Sequence, residues 1–304
     1  MKTSSFPLVA ISAITLFFGM GSALQADVII SWLTPLPGTN TVTYKQRLPD
    51  PFALTTYSGT EDNWIHLNGP FSTEHRNGGA DGRIIMGGIN AGGSDERHAF
   101  MRFNLSSMTG QFMSINSVTL RLFWHVTPTG TDTVQFFPVS AANAGWVEGN
   151  SLTGVDTIVA GESTWVNRNH PGTPWAGSNG ASTPGVDYVN TVLASNTYGT
   201  SEVPGTAFDL VFTDPSIITS WMGGTNAGIY GRTIGQDDQA IFRSSEFAGY
   251  EPELIINYTP FSVLLPPPAV PEPSSFVLLS LGGIVTGLVA FRRRRQRFSA
   301  PNAA

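Results

Sequence analysis

The chain has 304 residues, of which 41% are hydrophobic and only 12% charged; it has no cysteine and carries a formal charge of −6. The absence of cysteine excludes a disulfide framework, a thiolate metal site and a cysteine nucleophile. Lys2 and the arginines at 292–295 and 297 hold six of the sixteen basic residues, so from Asp27 to Val270 ten basic residues face twenty-one acidic ones. That net charge of −11 argues against nucleic acid as a partner, and against uniformly anionic polymers unless a local basic patch overrides the field.

In chain order, Lys2 precedes an apolar stretch from Phe6 to Met20, followed by the small residues Gly21, Ser22 and Ala23. This reads as a secretory signal peptide over residues 1–26, cleaved after Ala23 or Ala26. Residues 27–259 then form one large ectodomain, rich in Gly, Pro, Ser, Thr and Asn, with short apolar runs that alternate with polar positions. His98–Leu105 places Ala99, Met101, Phe103 and Leu105 on one face, and Ser117–Trp124 does the same with Val118, Leu120, Leu122 and Trp124. Thr133–Val139 follows Pro128 and Gly130 and predicts a hairpin with that second strand.

Ala207–Thr213 and Leu254–Tyr258 alternate likewise. Between them Asp214–Met222 predicts one short helix: Asp214 caps it, Pro215 opens it, Ile217, Ile218 and Trp221 share a face, and Gly223-Gly224 ends it. Strands with one buried face predict an all-β, antiparallel sandwich or jelly roll, with the helix over one end. Residues 260–270, with Pro266-Pro267-Pro268, predict an extended spacer.

The chain closes on Pro271-Glu272-Pro273, an uncharged run from Ser274 to Phe291, and Arg292-Arg293-Arg294-Arg295, ahead of the short tail 298–304. Eighteen residues span about 27 Å as a helix, enough for a slightly short bilayer crossing, and the arginines would stop transfer on the cytoplasmic side. This order of parts, residues 271–297, resembles the PEP-CTERM sorting signal. The resemblance implies export, membrane anchoring through a transmembrane helix at 274–291, processing near Pro271–Pro273 by an exosortase-type enzyme, and a surface or extracellular destination in an exopolysaccharide-producing Gram-negative bacterium.

A second set of short motifs runs through the ectodomain: Arg102-Phe103-Asn104-Leu105-Ser106, the Ser117–Phe123 strand, Trp146-Val147-Glu148, Ser163-Thr164-Trp165, Phe208-Asp209-Leu210, Asn226-Ala227-Gly228, Ser244-Ser245-Glu246 and Pro252-Glu253-Leu254. Their order and spacing over about 80–258 resemble the DNRLRE-type β-sandwich, related to carbohydrate-binding modules. The resemblance implies binding to, or embedding in, extracellular polysaccharide.

Sugars are held by aromatic faces with polar groups fixing the hydroxyls. Of the seven tryptophans, Trp124 and Trp221 lie on apolar faces and the resemblance makes Trp146 and Trp165 structural, whereas Trp175 differs in its loop setting. It closes a Pro- and Gly-punctuated loop with Arg168 and His170, and these three are the candidate carbohydrate-binding residues; the plainer reading folds Trp175 back onto the core. The loop Thr73–Arg83 offers oxygen donors in no known calcium-loop spacing. Asp81 there is the calcium candidate, beside the plainer reading of a solvated loop, and no other cofactor is expected. Glu148 and Glu162 could be called a glycosidase pair, but that chemistry is decided by carboxyl separation in space and the plainer reading gives both structural hydrogen bonds; the five histidines form no His-Glu-x-x-His motif, so the expected chain is not an enzyme. The alternatives to a glycan-binding protein are a structural or adhesive envelope protein without a glycan site and a glycan-active enzyme.

Overall fold

The period-two alternation of apolar residues becomes two antiparallel sheets in a computed structural model, which describes residues 39–67, 76–88, 95–152, 158–235 and 238–261. Among the described residues fourteen strands run in chain order: β1 (Asn40–Lys45), β2 (Thr60–His66), β3 (Arg76–Asn77), β4 (Arg83–Gly88), β5 (Glu96–Phe103), β6 (Phe112–Phe123) and β7 (Asp132–Pro138). They continue as β8 (Asn167–Asn169), β9 (Thr173–Pro174), β10 (Ala194–Tyr198), β11 (Ala207–Val211), β12 (Ile229–Thr233), β13 (Gln239–Arg243) and β14 (Glu253–Pro260). The smaller sheet has the order β1-β14-β6-β11; the larger runs β10-β7-β12-β5-β2-β3, with β4 joining β5 and carrying β13. A two-stranded ribbon pairs β8 with β9.

The inward faces of the two sheets share one core. Val118, Leu120, Leu122, Leu210, Leu254 and Ile256 of the smaller sheet pack with Met86, Met101, Val134, Phe136, Ile229 and Phe242 of the larger. Trp124 sits at the junction, bridging to Phe242 just past the end of β6, and its ring centroid lies 4.3 Å from that of Phe242. The faces assigned from alternation at Ser117–Trp124, Ala207–Thr213 and Leu254–Tyr258 are the buried ones.

The predicted hairpin between Ser117–Trp124 and Thr133–Val139 does not form. β6 pairs with β11 and β14, whereas β7 pairs with β10 and β12 in the other sheet. Each strand has an apolar face that must meet the shared core, and the intervening turn carries the chain across that core instead of back along the same sheet.

A second cluster lies under the segment from Val139 to Val192, against the opposite face of the larger sheet: Ile65, Phe100, Phe137 and Tyr230 meet Trp146, Trp165, Trp175 and Tyr188. β5 is therefore buried on both faces, since His98 and Phe100 are covered as fully as Ala99 and Met101. The helix is shorter than expected. It spans Ile217–Ser220 and widens into a turn over Trp221–Thr225, where Gly224 adopts φ +87°. Asp214 Oδ1 accepts from the Ser216 amide, and Trp221 packs edge-on to Phe212, as a cover over one end of the core.

Strand β14 reaches Pro260, one residue into the expected spacer. The signal-peptide segment 1–26, most of the spacer, and the tail with its expected membrane helix at 274–291 lie outside the described residues. Among the described residues no helix is long and apolar enough to cross a membrane.

Candidate functional site

β4, β5, β7 and β12 run side by side in the larger sheet and enclose a polar cavity of about 190 Å³, lined by Asp95, Glu96, Arg97, His98, Gln135 and Arg232 among others. Gly87 forms part of the wall in a conformation few other residues could adopt: its φ is +92°, and a Cβ there would lie 2.4 Å from the Asp238 carbonyl oxygen. Arg97 donates from Nη2 to Asp95 Oδ1 at 3.0 Å and rests on the Trp64 ring, yet its Nε and Nη1 are buried without a partner among the described residues. Arg232 lies over the rings of Phe137 and Tyr188, and its Nε is likewise unpartnered.

On the acceptor side, Glu96 Oε1 lies 2.7 Å from His98 Nε2, whose ring donates from Nδ1 to the Gly180 carbonyl at 2.6 Å. The His98 contact holds the Glu96 carboxyl below its ordinary range. Asp95 also contacts His66. Burial, and then the Arg97 charge, push that imidazole down to about 4, against the opposing pull of Asp95. The cavity thus combines guanidinium donors and carboxylate acceptors in a partly desolvated cleft, a pattern suited to a ligand dense in hydroxyl groups.

A second cluster gathers carboxylates. Asp62 on β2, Glu148 after Trp146 and Glu246 after β13 each offer an oxygen within 4.8 Å of the others. Two motifs noted in the sequence, Trp146-Val147-Glu148 and Ser244-Ser245-Glu246, therefore meet in space. Asp62 Oδ2 accepts from the Ser245 amide at 2.7 Å, the Asp62 amide donates to Glu148 Oε1 at 2.9 Å, and the Ser244 and Ser245 hydroxyls donate to Glu246. Asp62 is wholly buried, and burial followed by the charges of Glu246 and Glu148 pushes its carboxyl well above the carboxylate range. Burial pushes Glu148 up to about 8.

The residues singled out from sequence are placed differently. Trp175 is 4% exposed: its ring stacks on Phe100 at 4.9 Å and its Nε1 donates to the Thr164 carbonyl, so the indole is a core pin with no free face for a sugar. Arg168 lies in β8 and His170 in the turn that follows it. Arg168 Nη1 donates to the Ala142 carbonyl, and the His170 backbone exchanges hydrogen bonds with Gly161 and Glu162. Trp175 is buried against the larger sheet, so it presents no exposed aromatic face beside Arg168 and His170.

Asp81 is gripped through both oxygens by Arg83, at 2.9 and 2.7 Å, and the strand β3 occupies part of the expected loop. The calcium candidate thus spends its carboxylate on a guanidinium. Glu162 accepts from the Asn150 and Val159 amides and the Ser151 hydroxyl, a structural role, while Glu148 turns to Asp62. Arg97, Arg232 and Asp62 were not singled out from sequence. Each lies within a strand, and only the pairing of strands distant in the chain brings it to a site.

The sorting residues Pro271, Glu272 and Pro273 and the stop-transfer arginines Arg292, Arg293, Arg294 and Arg295 lie outside the described residues. Here comparison with known families speaks: residues 269–295 match the PEP-CTERM protein-sorting motif. The chain is thus a mostly β protein bearing a C-terminal sorting signal, which implies export, processing by an exosortase and a surface location. No curated protein matches the chain.

Proposed function

We propose that this chain is a non-catalytic surface or extracellular-matrix protein whose sandwich engages exopolysaccharide after exosortase processing releases or transfers it from the membrane. The observation that carries the reading is the sorting motif at 269–295, which commits the ectodomain to the compartment where such polymers accumulate. Calling the sandwich DNRLRE-type is part of the same proposal, supported by the ordered motifs, two of which converge at Glu148 and Glu246. The anchor is the uncharged run 274–291 followed by the four arginines.

The glycan contact belongs in the Arg97–Arg232 cavity, not at Trp175. Its 190 Å³ would hold about six waters at roughly 30 Å³ each, the scale of one sugar ring. The unpartnered guanidinium N–H groups would find acceptors in a sugar's hydroxyls or a uronic carboxylate. A structural or adhesive protein without a glycan site is the second reading, favoured by one observation: all six tryptophans among the described residues are buried.

Affinity electrophoresis of the detergent-solubilised full chain through the host's exopolysaccharide, and through neutral and anionic glycans, separates the two readings. Retardation weakened at least about tenfold in Arg232→Gln and in Gln135→Ala, with circular dichroism unchanged, is the expected result; one lost hydrogen bond to a charged group is worth about 1.5–3 kcal/mol. No retardation by any polymer would leave a sorted structural protein.

A further inference from the structure

We propose that Asp62, Glu148 and Glu246 form a calcium site that ties the segment covering the outer sheet face to the sandwich. The site stands independently of the glycan reading, since it lies on other residues and its test requires no polymer.

Three observations carry it. The first is spacing: oxygens that share one calcium ion at 2.3–2.6 Å lie no more than about 5 Å apart, and the three carboxylates each supply an oxygen within 4.8 Å of the others. The second is charge. Among the described residues none of the three carboxylates forms an ion pair with a basic side chain; Lys45, Arg47, Arg83, Arg97, Arg102 and Arg121 pair with other acids. The third is an unsatisfied atom: Asp62 is 0% exposed, and while its Oδ2 accepts from Ser245, its Oδ1 has no hydrogen-bond partner among the described residues. A buried carboxylate oxygen without a donor, set against two more carboxylates, is the environment a hard cation completes.

The surroundings suit an ion that arrives from solvent. Glu246 is exposed and Glu148 half-buried, so the cluster opens outward while Asp62 forms its floor. Backbone and hydroxyl donors orient each carboxylate without neutralising it, as an outer shell does for metal ligands. An all-oxygen set with no imidazole or thiolate selects calcium over transition metals, and the exported compartment supplies it. The three ligands come from β2, from the segment that also carries Trp146, and from the turn after β13. One ion would therefore fasten three stretches of chain that are far apart in sequence.

The test is equilibrium dialysis of the full chain in detergent micelles, stripped with EDTA and exposed to Ca²⁺, alongside thermal unfolding. One equivalent of Ca²⁺ per chain is expected, with Tm raised by about 5–10 °C at a hundredfold excess over Kd. Asp62→Asn, which keeps the shape and removes the charge, should lose both, and Glu246→Gln, altered only at the exposed rim, should weaken uptake at least about tenfold while folding normally. Absence of stoichiometric uptake by the unaltered chain would overturn the proposal. So would uptake that survives in both variants, and one equivalent of Mg²⁺ held more tightly than Ca²⁺ would overturn the choice of ion.

Discussion

The core between the sheets mixes aliphatic and aromatic side chains, whereas the core beneath Val139–Val192 is mostly aromatic, and the two are held in different ways. Between the sheets, side chains at every second position interlock by shape, and Trp124 keeps its Nε1 without a partner. Beneath the covering segment, large rings are pinned by polar anchors: Trp146 Nε1 donates to the Ala227 carbonyl, Trp175 Nε1 to the Thr164 carbonyl, and the buried Asp187 carboxylate accepts from Asn143, Gly177, Ser178 and Thr183. Strands satisfy their own backbone through ladders, so their core needs only apolar volume. Irregular chain laid over a sheet must find partners for its backbone groups one at a time, and it does so through tryptophan, asparagine and aspartate.

The largest expected effects break each core in turn. Trp124→Ala and Trp175→Ala should each cost about 3–5 kcal/mol in urea unfolding, the usual range for a buried tryptophan. The patterns should differ: by hydrogen exchange, Trp175→Ala deprotects the amides of 140–192 while β6 and β14 keep their protection, whereas Trp124→Ala lowers protection everywhere. Equal deprotection of β6 and β14 in Trp175→Ala would mean that the two cores are one cooperative unit.

Asp187→Ala should follow, at about 3 kcal/mol, because it strands several buried donors at once, and Asp187→Asn should recover only part of the loss. The pH dependence sharpens the comparison on the sheet itself. His66 faces Asp95, Arg97 and Arg76, and its folded value of about 4 lies below the unfolded 6.5. A depressed histidine prefers the neutral form in the fold, so its stabilisation is complete above pH 6.5 and declines as pH falls toward 4, by up to about 3 kcal/mol. Urea midpoints at pH 7 and pH 4.5 measure this, and His66→Gln should flatten that part of the profile. Smallest of all is Arg121→Ala: the pair with Asp209 is bidentate but well exposed, and its loss should stay under about 1 kcal/mol.

The same contrast explains what could be read from the chain. Val118, Leu120, Leu122 and Trp124 announce their face by alternation alone, and Asp214 and Pro215 announce a helix start, although two glycines and a widened turn leave it a single regular turn long. Strand partners were not legible: β6 and β7 look like neighbours in sequence because a turn joins them, while the requirement that both reach one core sends them to opposite sheets. Trp175 resembled a binding residue for a related reason, since a loop that caps a core and a loop that holds a ligand share proline, glycine, a cation and an indole. The cavity and the carboxylate cluster combine residues from strands remote in sequence, such as Asp62 and Glu246, and no local pattern marks them. The tail was legible because its signal is a linear order of parts that needs no fold to be recognised.

Delivery to the surface by that tail is the central claim, and the most direct measurement is the C-terminal mass of the mature chain recovered from fractionated cells with and without an exosortase. With the enzyme, the account predicts surface protein truncated near Pro271–Pro273 and lacking Arg292–Arg295, and a full-length membrane-bound form when Glu272 is replaced by Ala. Surface protein that still ends at Ala304 in the presence of the enzyme, or truncation that is indifferent to Glu272→Ala, would contradict it.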